Sequence, residues 1–205
     1  MKINFPSSLE LSDVYVNEPF PIYEMENIFE KNVYDKLRDE YPDESFFTAG
    51  YGPGGKLVLN NTTPLFDKFL EQSETWKTFC QAINNEDMVK KLFNLMIHDL
   101  KKIPERQKFP RKILQENITL VHRWDEGFLS RVHSKILKLM KRNAVRVLFE
   151  FSRMRNNTYI APHTEQEHKI FNLLLYFPSR NMTEFDKNRL GTNFYKKSKD
   201  NLDVW

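Results

Sequence analysis

His163 and Glu165 stand two residues apart in Pro162-His-Thr-Glu165. Pro162 disfavours helix around itself, so residues 159–165 read as extended chain. In extended chain, residues i and i+2 point to the same side. Tyr159, Ala161, His163 and Glu165 then share one face, with Ile160, Pro162 and Thr164 on the other. An imidazole and a carboxylate aimed at one point are donors that non-haem Fe(II) takes in two-histidine, one-carboxylate sites. Such sites keep coordination positions open for a cosubstrate and oxygen. By itself the His-x-Glu pattern is weak, because these two residue types meet often by chance. A zinc-protease reading of His163-Thr-Glu-Gln-Glu-His168 fails on spacing. That motif needs His-Glu-x-x-His on a helix, whereas these histidines lie five apart beside a proline.

The segment sits between two stretches of strand character. Val145, Val147, Phe149 and Phe151 alternate with Arg146, Leu148, Glu150 and Ser152, the two-residue period of a strand. Residues 170–177 form an apolar run stopped by Pro178, which predicts a strand buried on both faces. A further short strand is expected at 191–195. The first half reads differently. A short strand at 20–25 leads to a helix over 30–41, with Val33, Tyr34, Leu37 and Tyr41 at helical spacing and Pro42 after them. Thr63-Pro64 opens a second helix carrying Leu65, Phe66, Phe69 and Leu70. A third runs from about 85 to 103. Its first turn holds Glu86 and Asp87 and its last Lys101 and Lys102, in keeping with the helix dipole, and Pro104 closes it. Helices first and strands afterwards predict an α+β fold in a single domain over residues 1–205, mainly helical up to 110 and strand-rich from 111.

Composition bounds the rest. Lys and Arg number 31 against 28 Asp and Glu, a net charge of +3 too small to suggest a general nucleic-acid binder. With 17 Phe the chain has material for a core. A single cysteine, Cys80, excludes an intrachain disulfide framework and a cysteine-rich zinc site; it reads as a small buried apolar residue. No stretch approaches the ~20 apolar residues of a membrane helix. The opening residues are broken by Pro6, Glu10 and Asp13, unlike a signal peptide. The expectation is a soluble, cytoplasmic protein without a membrane partner. The Asn-x-Ser/Thr sequences at Asn60, Asn61, Asn117, Asn156 and Asn181 then reflect an asparagine-rich composition. Four of the six glycines lie in Gly50-Tyr-Gly-Pro-Gly-Gly55, which reads as a mobile loop and lacks phosphate-loop spacing. Residues 131–142 carry five Lys or Arg and no acid, a solvated helix face before a nucleic-acid surface.

The order of these elements resembles the 2-oxoglutarate- and iron(II)-dependent dioxygenases, of the prolyl-hydroxylase-like kind. Phe149-Glu-Phe-Ser-Arg-Met supplies the strand before the motif, and Pro162-His-Thr-Glu165 resembles the family's Pro-His-Thr-Asp form. Lys169-Ile-Phe-Asn-Leu-Leu-Leu-Tyr-Phe-Pro178 looks like the next strand and Leu190-Gly-Thr-Asn-Phe-Tyr195 like the Gly-Thr strand that follows. The likeness covers most of the chain, with Pro64-Leu-Phe-Asp-Lys-Phe-Leu and Trp76-Lys-Thr-Phe in the helical half, and is sharpest from Val145 to Tyr195.

The resemblance implies N-terminal helices packed on a partial double-stranded β-helix of jelly-roll or cupin type. It implies Fe(II) held by His163 and Glu165, with 2-oxoglutarate as cosubstrate and ascorbate as the accessory reductant such enzymes can take. The reaction implied is hydroxylation of a protein side chain or small molecule, with release of succinate and CO2. Tyr159 on the ligand face and Asn172, which shares a strand face with Tyr176, are candidate cosubstrate contacts; a structural hydrogen bond is the other reading of each. The family's third ligand is a second His well downstream, followed by a basic residue for the far carboxylate of 2-oxoglutarate. No His follows His168, and His98, His122 and His133 precede the motif. The expectation is a chain that ends mid-barrel. The alternative is a degenerate, non-catalytic interaction module on the same fold.

Overall fold

A computed structural model of the chain describes residues 3, 14–16, 22–25, 28–50, 55–100, 118–121, 143–154, 169–178, 195–197 and 202–204. For 14–16, 97–100, 143, 195–197 and 202–204 it describes the backbone alone. The chain forms two units, each assembled from separate stretches: residues 1–40 with 60–150, and residues 41–59 with 151–205.

The first unit is built on helices. Strands β1 (Val14–Val16) and β2 (Ile22–Tyr23) pair antiparallel across a bulge. Helix α1 (Lys31–Asp39) starts at an extended Glu30 and carries Lys36 and Arg38 in its last turn, where cations suit the dipole. Asp35 braces it from the middle, accepting from Lys31 at 2.7 Å and from Arg38 at 2.6 Å. Helix α2 (Pro64–Gln72) opens on a proline, whose missing N–H costs nothing in a first turn. Ser73 then serves two helices. Its N–H donates to the Phe69 carbonyl and closes α2, while its Oγ accepts from the Trp76 N–H and caps α3 (Glu74–Ile83).

Glu40, just beyond α1, gathers that junction. It accepts from the Ser73 hydroxyl at 2.6 Å and from the Thr75 hydroxyl at 2.8 Å. A carboxylate is favourable at the first turn of α3, where backbone N–H groups point outward. Trp76 Nε1 donates to the Leu37 carbonyl at 2.9 Å, occupying a carbonyl of the last helical turn that has no partner within α1. The Trp76 ring meets Phe79 edge-on at 5.4 Å, and Phe79 meets Phe29 at 5.8 Å. Leu37 is fully buried here, among the core side chains that include Trp76, Phe79, Cys80 and Ile83.

Helix α4 (Glu86–Leu100) buries Val89, Leu92, Phe93 and Leu95, apolar residues at helical spacing. Its first turn reaches β5 (Ile118–Leu120): Glu86 accepts from Lys90 Nζ at 2.7 Å and from the Leu120 N–H at 3.3 Å. Strand β5 pairs parallel with β6 (Asn143–Val145), and the Val121 N–H extends the ladder to the Val145 carbonyl.

The second unit holds a three-stranded sheet in the order β3 (Thr48–Ala49), β4 (Leu57–Asn60), β7 (Glu150–Arg153). Strands β3 and β4 are antiparallel, with Thr48 opposite Val58 and Ala49 opposite Leu57. Beyond the paired residues, the Gly50 N–H donates to the Lys56 carbonyl at 2.8 Å. Gly50 has to be glycine there, since a Cβ would lie 2.9 Å from the Lys56 oxygen. Strands β8 (Tyr195–Lys197) and β9 (Leu202–Val204) form a separate antiparallel pair.

The mixed helix-and-sheet class expected from the sequence is present. Helix α3 is an addition between the two post-loop helices that spacing predicts. Burial alternates through 145–152 as the period requires: Val145 and Phe151 are buried, Val147 and Phe149 half-buried, and the even positions exposed. That stretch is nonetheless two strands in two different sheets rather than one. The run at 170–177 departs further. It joins no ladder among the described residues, and Leu174 and Tyr176 are 51% and 53% exposed. It is therefore covered on one side only, and the expectation of burial on both faces is corrected. The described strands make pairs and one three-stranded sheet, and no jelly roll or double-stranded β-helix is visible among them. No described helix is long and apolar enough to cross a membrane. The basic stretch 131–142 lies outside the described residues.

Leu37→Ala is expected to lower stability by roughly 2–5 kcal/mol, the usual cost of truncating a fully buried leucine. Leu174→Ala is expected to change it by no more than about 0.5 kcal/mol, as at exposed positions. Urea denaturation of both variants, followed by tryptophan fluorescence, checks the contrast.

Candidate functional site

His163, Glu165 and Tyr159 lie outside the described residues. The chain on either side of them is described, and it bears on where the motif starts and ends. Strand β7 finishes at Arg153, just before the motif segment, and the run 169–178 begins directly after it.

Both flanks meet at one side chain. Tyr41 donates its hydroxyl to the Ser152 carbonyl in β7 at 2.9 Å. Its ring meets Phe151 of β7 edge-on at 5.5 Å and 82°, and Phe177 of the following run at 6.1 Å. Phe47 stacks nearby at 6.3 Å. Burial raises the Tyr41 phenol above its ordinary value, so the hydroxyl stays a neutral donor. The polypeptide that leaves β7 thus returns to the same aromatic cluster after the motif.

The start of β7 is held by Asn61, in the turn between β4 and α2. Its backbone N–H donates to the Phe149 carbonyl at 3.2 Å. Its side-chain amide donates to the Val147 carbonyl at 3.0 Å and accepts from the Phe149 N–H at 3.3 Å. One asparagine thereby satisfies three backbone groups of a segment that belongs to no ladder. Phe149 adds a stacked contact with Phe66 of α2 at 6.2 Å. Neighbouring Asn60 folds its side-chain oxygen onto the Thr62 N–H and hydroxyl, a local turn.

Asn172 is exposed, in phase with Leu174 and Tyr176, so it shares the open side of its run with Tyr176 as expected. Among the described residues no group of three or more His, Cys, Asp or Glu side chains comes together. His98 lies in α4 with its side chain undescribed, and the other four histidines fall outside the described residues.

Cys80 is buried on α3 beside a shallow hollow of about 340 Å³ that Phe66, Leu70 and Phe149 also line. Burial pushes its thiol up to about 12, so it carries essentially no thiolate at neutral pH and is a poor nucleophile or metal ligand. The buried, apolar role expected for it holds.

Two positioning residues escape the sequence reading. Tyr41 falls on the helical stripe by spacing, yet α1 ends at Asp39 and Tyr41 turns to the sheet instead. The Pro42 that follows it is the signal that could have shown this, because the residue before a proline is driven from helical to extended backbone. Asn61 offers no such signal, since its partners lie 86 and 88 residues away.

No family model matches the chain, and comparisons with curated proteins and with solved structures find no similar one.

Three outcomes are expected. Tyr41→Phe keeps the ring contacts but removes the hydroxyl's bond to the Ser152 carbonyl, at a cost of about 1 kcal/mol in denaturant titration. Asn61→Asp sets a carboxylate against the Val147 carbonyl and loses the donated bond, costing roughly 1–3 kcal/mol by the same measurement. Cys80 should resist iodoacetamide in the native protein at pH 8 and react fully in 6 M guanidinium, as read by mass spectrometry (the ~6 M figure being well above a typical unfolding midpoint).

Proposed function

We propose that this chain belongs to an Fe(II)- and 2-oxoglutarate-dependent oxygenase that hydroxylates a protein side chain or a small molecule. The observation that carries the reading is the pairing of Pro162-His-Thr-Glu165 with the return of its two flanks to Tyr41. If the segment that follows β7 is extended, His163 and Glu165 would lie on one face.

A neutral imidazole and a carboxylate suit ferrous iron. They are two donors of three, and no cluster among the described residues supplies a third. Iron with 2-oxoglutarate, when bound, supplies the oxidising chemistry. The chain's own part is to hold the two donors in register and to present Tyr159 and Asn172 to the cosubstrate. Asn172 suits such a contact because it lies on the open side of its run. Succinate and CO2 would be the coproducts, and cytoplasmic placement with a small-molecule or protein substrate goes with the same reading.

A second reading is a non-catalytic interaction module on the same fold. Metal binding separates the two. Anaerobic titration of the 205-residue chain with Fe(II) is expected to show one equivalent bound. His163→Ala should weaken binding by at least about tenfold, as loss of a ligand does. Glu165→Asp should retain it, since the carboxylate donor survives with one methylene less reach. In the full-length gene product, iron-dependent conversion of 2-oxoglutarate to succinate should disappear in His163→Ala. No turnover there, or turnover indifferent to His163→Ala, would overturn the oxygenase reading and leave the interaction module.

A further inference from the structure

We draw no further inference here: the strongest candidate, the shallow hollow of about 340 Å³ beside α2 and α3 lined by Phe66, Leu70, Cys80 and Phe149 with Asp67, Glu71 and Lys77, carries charges of both signs and a buried Asn84 side-chain oxygen too deep for a ligand to reach, so nothing in the structure shows what covers it.

Discussion

The amide of Asn61 does the work of a missing strand neighbour. Residues 146–149 lie between β6 and β7 and belong to neither, so their backbone groups need partners from elsewhere. Asn61 supplies them with one side-chain donor, one side-chain acceptor and one backbone N–H. Because a carboxamide has the same donor and acceptor as a peptide group, it can pair with an extended chain as another strand would. That pairing fixes the point at which the chain enters β7, and β7 is the strand that feeds the His163–Glu165 segment.

The helical half obeys a related constraint, that helix ends must find partners for their unpaired groups. Three helix ends meet within a few residues around Ser73. Ser73 closes α2 and opens α3, Glu40 ties its hydroxyl to the end of α1, and Trp76 occupies the Leu37 carbonyl. The polar bonds lie against a buried aromatic cluster, where each is stronger than in water and where losing one leaves a costly orphan. Ser73 is itself buried, which a serine tolerates only when both its donor and its acceptor are used.

Tyr41 links the sheet to the run that follows the motif by its ring contacts with Phe151 and Phe177, and its hydroxyl holds the Ser152 carbonyl of the sheet. An aromatic ring suits this task because it presents a large apolar area while its hydroxyl still reaches a backbone carbonyl. Leu174 and Tyr176, by contrast, face outward on the same run that Phe177 anchors. The alternation of anchored and open positions is a strand's alternation, although the run joins no ladder among the described residues.

The helices α1, α2 and α4 were legible because amphipathic spacing, proline placement and terminal charges are local properties, each readable in a window of a few residues. The alternation at 145–152 and the burial of Cys80 were legible for the same reason. Apart from α3, the missed features join distant positions. Asn61 and residues 147–149, Tyr41 and Phe177, and Glu40 and Ser73 are held together by contacts that no local pattern encodes. The apolar run at 170–177 shows the converse: composition announces a chain that prefers burial, but whether one face or two is covered depends on what packs against it. By itself the sequence determined where α1, α2 and α4 lie and the two-residue period of 145–152, since these follow from local backbone geometry. Only the tertiary structure decided that one alternating stretch divides between two sheets and that the flanks of the motif come back to one tyrosine, because hydrogen bonds and ring contacts across a hundred residues exist only once the chain has folded.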